Sequence, residues 1–265
     1  MATISIIGGG NLGTAIAQGL AKSKSAKASS LIITRRNLSK IEALKKEGFV
    51  LTTNNIEAVK KSRIILLCVQ PKQLAGLLKE IEHALTVNHM LVSTITGVST
   101  EEIASHIQKN VPVIRAMPNT AIAIGQSMTC LCAQSGSEKH LPEVEKLFSA
   151  LGQTLVIEER LMKAATVLAA SGIAFFMRYV RAATQGGIQM GFDSEEAQLI
   201  ASQTAKGAAS LLLSRESHPE IEIDKVTTPQ GCTIAGLNEM EHQGLSSALI
   251  KGIITSFEKI NSIKN

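Results

Sequence analysis

The sequence contains no tryptophan and one tyrosine, and aromatic residues make up 3% of its 265 positions. Nucleic-acid surfaces use flat side chains on which bases stack, and this chain has almost none to offer. Charge does not make up for the lack: 27 basic residues stand against 22 acidic ones. Lys22, Lys24, Lys27, Lys45, Lys46, Lys60 and Lys61 fall on helical faces beside Glu42, Glu47 and Glu57. That pattern is a solvated surface rather than a basic groove, and nucleic-acid binding is excluded as the main function. The four cysteines (Cys68, Cys130, Cys132, Cys232) form no C-x-x-C pair, and a 45% hydrophobic chain of this size builds a core without disulfides. The six histidines are scattered, with no i, i+4 pair or acidic cluster, so no metal site is expected. There is no secretory signal pattern, and the longest apolar run, Ala164 to Met177, is closed by Lys163 and Arg178 and is too short to span a bilayer. The protein is expected to be soluble and cytoplasmic, with no membrane partner.

What is present begins at once. Thr3 to Ile7 reads as a short β-branched strand. Gly8-Gly9-Gly10-Asn11-Leu12-Gly13 follows, and then a helical pattern from Leu12 to Leu20. Strand, G-x-G-x-x-G and helix in this order form the dinucleotide-binding fingerprint. Gly8 makes the tight turn, Gly10 lets backbone approach a pyrophosphate, and Gly13 allows close helix–strand packing. A second strand, Leu31 to Thr34, ends in Arg35-Arg36-Asn37 with no carboxylate. An NAD-selective domain places Asp or Glu there for the ribose 2′-hydroxyl, whereas a guanidinium fork suits a 2′-phosphate. The expected cofactor is therefore NADPH, with NADH possible; the plainer alternative for the two arginines is a solvated basic loop.

Further strands are expected at Phe49 to Leu51, Ile64 to Val69, Met90 to Thr94, Val113 to Ala116, Met128 to Ala133 and Thr154 to Ile157. Helical patterns lie at Leu38 to Glu47, Ile56 to Lys61, Lys72 to Ala84 and Glu138 to Leu151, and Ser99-Thr100-Glu101-Glu102 is a capping box. Gln70-Pro71, Thr96-Gly97 and Met117-Pro118-Asn119-Thr120 fall after strands, on the edge where open α/β sheets bind ligands, so Gln70, Pro71, Thr96 and Asn119 join the candidate cofactor contacts. The fold class expected is α/β: a Rossmann-like doubly wound parallel sheet with extra strands over residues 1–158, then an all-α domain over residues 159–265. In that second domain Leu161 to Met190 is helical and apolar, Asp193-Ser194-Glu195-Glu196 caps a helix to about Arg215, Glu216 to Asp224 reads as a loop, and Leu245 to Ile260 is a last amphipathic helix. A helical domain so apolar is expected to bury part of itself in a second subunit, as a homodimer or an assembly of dimers.

Late in the chain, Val226-Thr227-Thr228-Pro229-Gln230-Gly231-Cys232-Thr233 is a turn running into a helix-compatible segment. Such a turn aims free N–H groups and the positive end of a helix at one point, which suits a carboxylate or phosphate. Many Thr/Pro/Gly turns are ordinary helix entries.

Taken over its whole length, the chain resembles the pyrroline-5-carboxylate reductase family. The resemblance rests on Arg115-Ala116-Met117-Pro118-Asn119-Thr120, on Gln203-Thr204-Ala205-Lys206-Gly207-Ala208-Ala209, and above all on His218-Pro219 through Val226-Thr227-Thr228-Pro229 to Gly231-Cys232-Thr233. It implies a Rossmann domain, an α-helical dimerisation domain, and hydride transfer from NAD(P)H to the C=N carbon of L-1-pyrroline-5-carboxylate, a small cyclic imine, to give L-proline. It also implies that Thr228, Gly231, Cys232 and Thr233 hold the substrate carboxylate and ring nitrogen, that Glu216 is the acidic substrate-site residue, and that Gly9, Asn11, Leu12, Arg36, Asn55, Val69, Gln70 and Thr96 contact the cofactor. Three positions depart from the family pattern: Gln230 stands where Gly is usual, Gln70 where Lys is frequent, and Lys225 where Asn is frequent. The family's Ser-Gly-Pro-Ala-Tyr helix entry is reduced to Ser171-Gly172-Ile173-Ala174-Phe175.

Imine reduction needs an aligned hydride donor, a proton on nitrogen and an anchor for the carboxylate. Thr233 Oγ is the candidate catalytic group, orienting the ring nitrogen, with the amides of Gly231, Cys232 and Thr233 as the anchor. Glu216 would favour the cationic imine, or else is plain surface; Cys232 reads as a small packing residue. Two rivals remain. A non-enzymatic dinucleotide-binding regulator is kept open by Gln70 and Gln230. A β-hydroxyacid dehydrogenase would resemble a Lys-x-x-x-Asn pair, but Lys163 is followed four residues later by Val167.

Overall fold

The computed structural model describes residues 3–215 and 217–262. Eight strands form one sheet: β1 (Ile4–Ile7), β2 (Leu31–Thr34), β3 (Val50–Thr52), β4 (Ile64–Leu67), β5 (Met90–Ser93), β6 (Val113–Met117), β7 (Ser127–Ala133) and β8 (Gly152–Val156). Their order is β3-β2-β1-β4-β5-β6-β7-β8. The first six are parallel; β7 pairs antiparallel with β6, and β8 runs parallel to β7. The two appended strands thus reverse direction, a mixed edge on a doubly wound sheet.

The apolar runs of β1, β2 and β4 carry no polar alternation because both sheet faces are covered. Ile4, Ile6, Leu31, Ile33, Ile64 and Leu66 enter one core, and Ile7, Ile32, Ile65 and Leu67 enter the other. This is the two-residue period of a strand applied to a sheet with two interiors. Helices α1 (Asn11–Lys22), α2 (Ala43–Lys46) and, further on, α6 (Leu141–Ser149) line the first core through Ile16, Leu20, Leu44, Val144 and Phe148. Helices α3 (Asn55–Lys60), α4 (Leu74–Ile81) and α5 (Thr100–Ser105) line the second through Val59, Leu78, Ile81 and Ile103. Each fully buried Ile or Leu stabilises by about 1.5–3 kcal/mol, so these cores hold the sheet edge rigid. Ser99 Oγ caps α5 by accepting from Glu102 N at 3.1 Å.

Beyond β8 come α7 (Met162–Ala165), a π-helical turn Thr166–Ser171, α8 (Gly172–Gln189), α9 (Ser194–Arg215), α10 (Pro219–Val226), α11 (Cys232–His242) and α12 (Leu245–Ser262). Two compact units result. One runs to Ser171 and includes the chain from Phe257; the other is Gly172–Ser256. In the second unit Gly187 lets α8 approach α9, since a Cβ there would lie 3.0 Å from that of Ala197. Asp193 Oδ1 caps α9 by accepting from Glu195 N and Glu196 N at 2.9 and 2.8 Å.

Two expectations are corrected. Residues up to Asp224 are not a loop throughout: Pro219–Val226 is helical. His218 caps it, its Nδ1 accepting from Glu220 N at 3.3 Å, and Pro219 takes the first helical position, where a missing N–H costs nothing. The apolar segment beginning near Ala164 also belongs to a longer helical run, Glu159–Gln189, which is long and apolar enough by length and composition to cross a membrane.

Candidate functional site

In the first unit the strand order reverses between β1 and β4, and the C-terminal edge there is where ligands of open sheets bind. The glycine turn sits on that edge. Gly8 has φ +111°, and a Cβ on it would meet the Cys68 carbonyl oxygen at 2.4 Å. Gly8 N and Gly9 N both donate to Thr34 O, at 3.2 and 2.7 Å, and Gly10 N donates to Gly8 O at 2.8 Å. A Cβ on Gly13 would lie 2.2 Å from Gly8 O, whereas one on Gly10 would meet nothing within 4 Å. Two of the three fingerprint glycines are therefore sterically required by the fold, and the third opens onto free space. α1 begins with no side-chain cap and no acidic residue in its first turn, so the amides of Asn11, Leu12 and Gly13 are the orphan donors of a helix start.

Arg35 and Arg36 do different things. Arg35 is half-buried, and its guanidinium donates to the Gly9 carbonyl, which ties it to the glycine turn. Arg36 is exposed and makes no ion pair among the described residues. Asn37 Oδ1 accepts from Ser39 N and Ser39 Oγ, at 3.0 and 2.7 Å, and so opens the turn at Leu38–Ile41. An open glycine, uncapped amides and an exposed guanidinium without a carboxylate beside it fit a dinucleotide bearing a 2′-phosphate.

The remaining edge candidates divide. Val69 and Thr96 are half-buried at the ends of β4 and β5, and Gln70 and Pro71 are exposed. Gln70 N donates to Gln73 Oε1 at 3.1 Å, starting the turn into α4. The Asn55 amide donates to the Glu80 carboxylate, at 3.1 Å for the shorter contact. Asn119 is committed to architecture. Its Oδ1 accepts from Ala121 N at 3.0 Å, its N donates to Ser127 Oγ at 3.1 Å, and its Nδ2 donates to Ala169 O of the π turn at 3.3 Å.

A neighbouring network escaped sequence reasoning. Arg115, buried on β6, pairs with Glu159 Oε1 at 3.0 Å, and Thr100 N donates to the same oxygen at 2.8 Å. Burial, reinforced by the Glu159 charge, pushes the Cys132 thiol up to about 12, and burial raises Cys68 to about 11. These thiols stay protonated and serve as small apolar groups.

In the second unit the turn before α11 holds the other candidates. Thr227 ends α10, its Oγ1 donating to Ile223 O at 2.8 Å. Gly231 N donates to Thr228 O at 3.0 Å, closing a β-turn with Pro229 second and Gln230 third. Gln230 has φ +58°. A positive φ at the third position with proline at the second makes this a type II turn, which favours glycine there; a side chain costs roughly 1–2 kcal/mol. A Cβ on Gly231 would lie 2.4 Å from Thr228 Oγ1, so that position must stay glycine. Gly231 is the cap residue of α11 and brings no side-chain cap, and no acid occupies the first turn. The amides of Cys232 and Thr233 are thus donors facing outward, beside the half-buried Thr233 and the exposed Thr228 and Cys232. Glu216 lies outside the described residues.

α10 is clasped at its start. Glu222 accepts from Ser217 Oγ and Lys225 Nζ, both at 2.6 Å, and from Arg215 at 3.2 Å. The Lys225 and Ser217 hydrogen bonds hold its carboxyl below the usual carboxylate range.

Comparison with known proteins completes the assignment. Residues 159–263 match the family model for pyrroline-5-carboxylate reductase dimerisation, and residues 3–97 match that for NADP oxidoreductase, coenzyme F420-dependent. The chain is 52% identical to pyrroline-5-carboxylate reductase 1 of Dictyostelium discoideum, over 98% of its own length and 49% of that protein's, so it spans about half of that relative. It is 46% identical to pyrroline-5-carboxylate reductase 2 of the same organism, covering 97% of this chain and 91% of the other. The structure of a pyrroline-5-carboxylate reductase from Coxiella burnetii superposes with a TM-score of 0.90 at 26% identity, covering 100% of this chain and 99% of that one. The fold is shared as well with the Plasmodium falciparum pyrroline carboxylate reductase solved with NADP bound, at a TM-score of 0.88 and 21% identity, covering 100% of this chain and 98% of that one. From its glycine turn to its last helices, this chain belongs to the pyrroline-5-carboxylate reductase family.

Proposed function

We propose that this chain reduces L-1-pyrroline-5-carboxylate to L-proline with NADPH as the hydride donor, NADH serving less well. The observation that carries the reading is the match, at 46% identity, to a pyrroline-5-carboxylate reductase of similar length, covering 97% of this chain and 91% of that protein. Residue chemistry supports it in both units. The first-turn amides of α1 would receive the pyrophosphate, the space beside Gly10 would admit it, and Arg36 would pair with the 2′-phosphate. Bound there, NADPH supplies the hydride.

The second unit would hold the substrate. The amides at the start of α11 and the Thr228 hydroxyl would anchor the carboxylate, because a helix start without acids is electropositive. The Thr233 hydroxyl would hydrogen-bond the ring nitrogen and fix which ring carbon is presented. Orienting both reactants supplies most of the acceleration, up to ~7–11 kcal/mol for well-aligned pairs. A protonated imine is already electrophilic, so no strong acid is required of the protein. Glu216 would favour that cation.

The exposed apolar residues of the second unit, Met177, Leu199, Leu213 and Ile250 among them, would be covered by a second copy, making a homodimer that could associate further. A cytoplasmic location belongs to the same reading, and four cysteines without a disulfide agree with a reducing compartment. The test is direct: purified protein mixed with NADPH and L-1-pyrroline-5-carboxylate should consume both and release proline in equal amount. No proline, with NADPH unconsumed, would contradict the proposal.

A further inference from the structure

The turn leading into α11 contains a residue its backbone does not favour. Among the described residues two non-glycine positions have positive φ, Lys24 at +61° and Gln230 at +58°. Lys24 is accounted for by the end of α1: its N donates to Ala21 O at 3.1 Å, and Ala26 N donates to Leu20 O at 3.2 Å. Those bonds close a helix C-terminus through a left-handed residue. Gln230 has no such reason. It stands beyond the cap residue of α10, Thr227, and closes no helix end; its side chain is exposed, and its carboxamide makes no hydrogen bond among the described residues. Glycine would satisfy the third position of this turn without strain.

The neighbouring positions explain where a second polar arm, beside the Thr228 hydroxyl, can stand. Position 229 is proline. Position 231 cannot carry a side chain, because Thr228 Oγ1 lies 2.4 Å from where its Cβ would be. Position 230 is therefore the last place before α11 from which a side chain can reach the first-turn amides of Cys232 and Thr233. Glutamine is also apt in kind: it offers two N–H donors and no charge, so it adds to anion recognition without competing for it. A glutamate there would repel an anion.

We propose that Gln230 is a specificity-determining residue whose carboxamide donates a hydrogen bond to the carboxylate of the cyclic imine at the start of α11. This rests on the proposed reductase function and adds to it a side chain chosen against its own backbone preference.

The experiment measures steady-state kinetics of the full chain, wild type, Gln230→Gly and Gln230→Glu, with L-1-pyrroline-5-carboxylate and NADPH varied in turn. Gln230→Gly keeps the turn, so circular dichroism and the melting temperature should match or exceed those of wild type. Its KM for the imine should rise about tenfold, the scale of one hydrogen bond to a charged group, while kcat and the KM for NADPH stay within about twofold, as expected for an interaction made equally in ground and transition states. Gln230→Glu should raise the imine KM further at an unchanged NADPH KM. An imine KM within twofold of wild type in both variants would overturn the proposal, and so would a parallel rise in both KM values. If the wild-type chain forms no proline, the reductase reading fails and this inference with it; an active wild type beside an unaltered Gln230→Gly sinks this inference alone.

Discussion

The two units spend their apolar residues differently. In the first, Ile6, Leu31, Ile33, Ile65, Leu66 and Leu67 are completely shielded, and helices cover both faces of the sheet. In the second, Leu199 is 70% exposed and Leu213 77%, while its few buried residues, such as Thr184, Ala197 and Ala205, are small. The same contrast holds between the two candidate loops. Gly8, Gly9 and Gly10 are fastened by hydrogen bonds to Thr34 O and Gly8 O, and Arg35 is clamped on Gly9. The Thr228–Gly231 turn has one closing bond and a residue in a strained conformation. A cofactor site benefits from a rigid floor, which the doubly wound core provides. The helical unit keeps its large side chains on the outside, and its stability is proposed to come from a partner copy.

Breaking the rigid loop should have the largest effect. Gly13→Ala forces a Cβ against the Gly8 carbonyl, and backbone cannot yield cheaply; we expect a loss of about 3 kcal/mol, read by chemical unfolding. Gly10→Ala, with nothing near its Cβ, should leave stability within about 0.5 kcal/mol of wild type yet weaken NADPH binding, read by titration. Equal instability in both would mean that Gly10 is architectural and the contrast between the glycines false.

Next in size is Thr233→Ala, for which we expect kcat to fall about a hundredfold, on the scale of losing one group that aligns the reacting atoms, with NADPH affinity near normal. Wild-type turnover would remove Thr233 from the chemistry. Leu199→Glu tests the proposed cover over the second unit: sedimentation should give dimers for wild type and monomers for the variant, because a buried unpaired charge at an interface is costly. An unchanged dimer would place the interface elsewhere.

The arginines sharpen the comparison within the first unit. Arg36→Ala should raise the KM for NADPH roughly tenfold and leave NADH nearly unaffected, as loss of a charge-assisted contact requires. Arg35→Ala should act on stability through the Gly9 tether and penalise both cofactors alike. The smallest effect is on α10. The folded pKa of Glu222 is depressed by its Lys225 and Ser217 bonds, so its contribution is complete above the usual carboxylate range and fades as pH falls through it. Glu222→Gln should blunt the acid-side loss of helix signal expected of wild type; identical acid profiles would show that the clasp contributes nothing.

The glycine turn, the strand positions and the α5 and α9 caps could all be read from the sequence, because strand periodicity and capping residues act locally. The start of α10 was written just as locally, in His218-Pro219, yet the mostly polar residues after it resemble a loop, and the helix buries none of them to set an apolar period. The left-handed Gln230 had no such signal: Thr-Pro-Gln-Gly suits a type I turn equally well, and only the backbone tells the two apart. Asn119 shows the converse problem. Its place after β6 marks it for the ligand edge, but its partners Ala121, Ser127 and Ala169 are brought to it by tertiary structure. Arg115 and Glu159 are 44 residues apart, too far for any local pattern to pair.

The central claim is that hydride passes from NADPH to the imine carbon of L-1-pyrroline-5-carboxylate on this chain. Mass spectrometry of proline formed from NADPH deuterated at the transferring position tests it most directly. The account predicts one deuterium on the ring carbon next to nitrogen and away from the carboxylate. Unlabelled proline, or none, would contradict it.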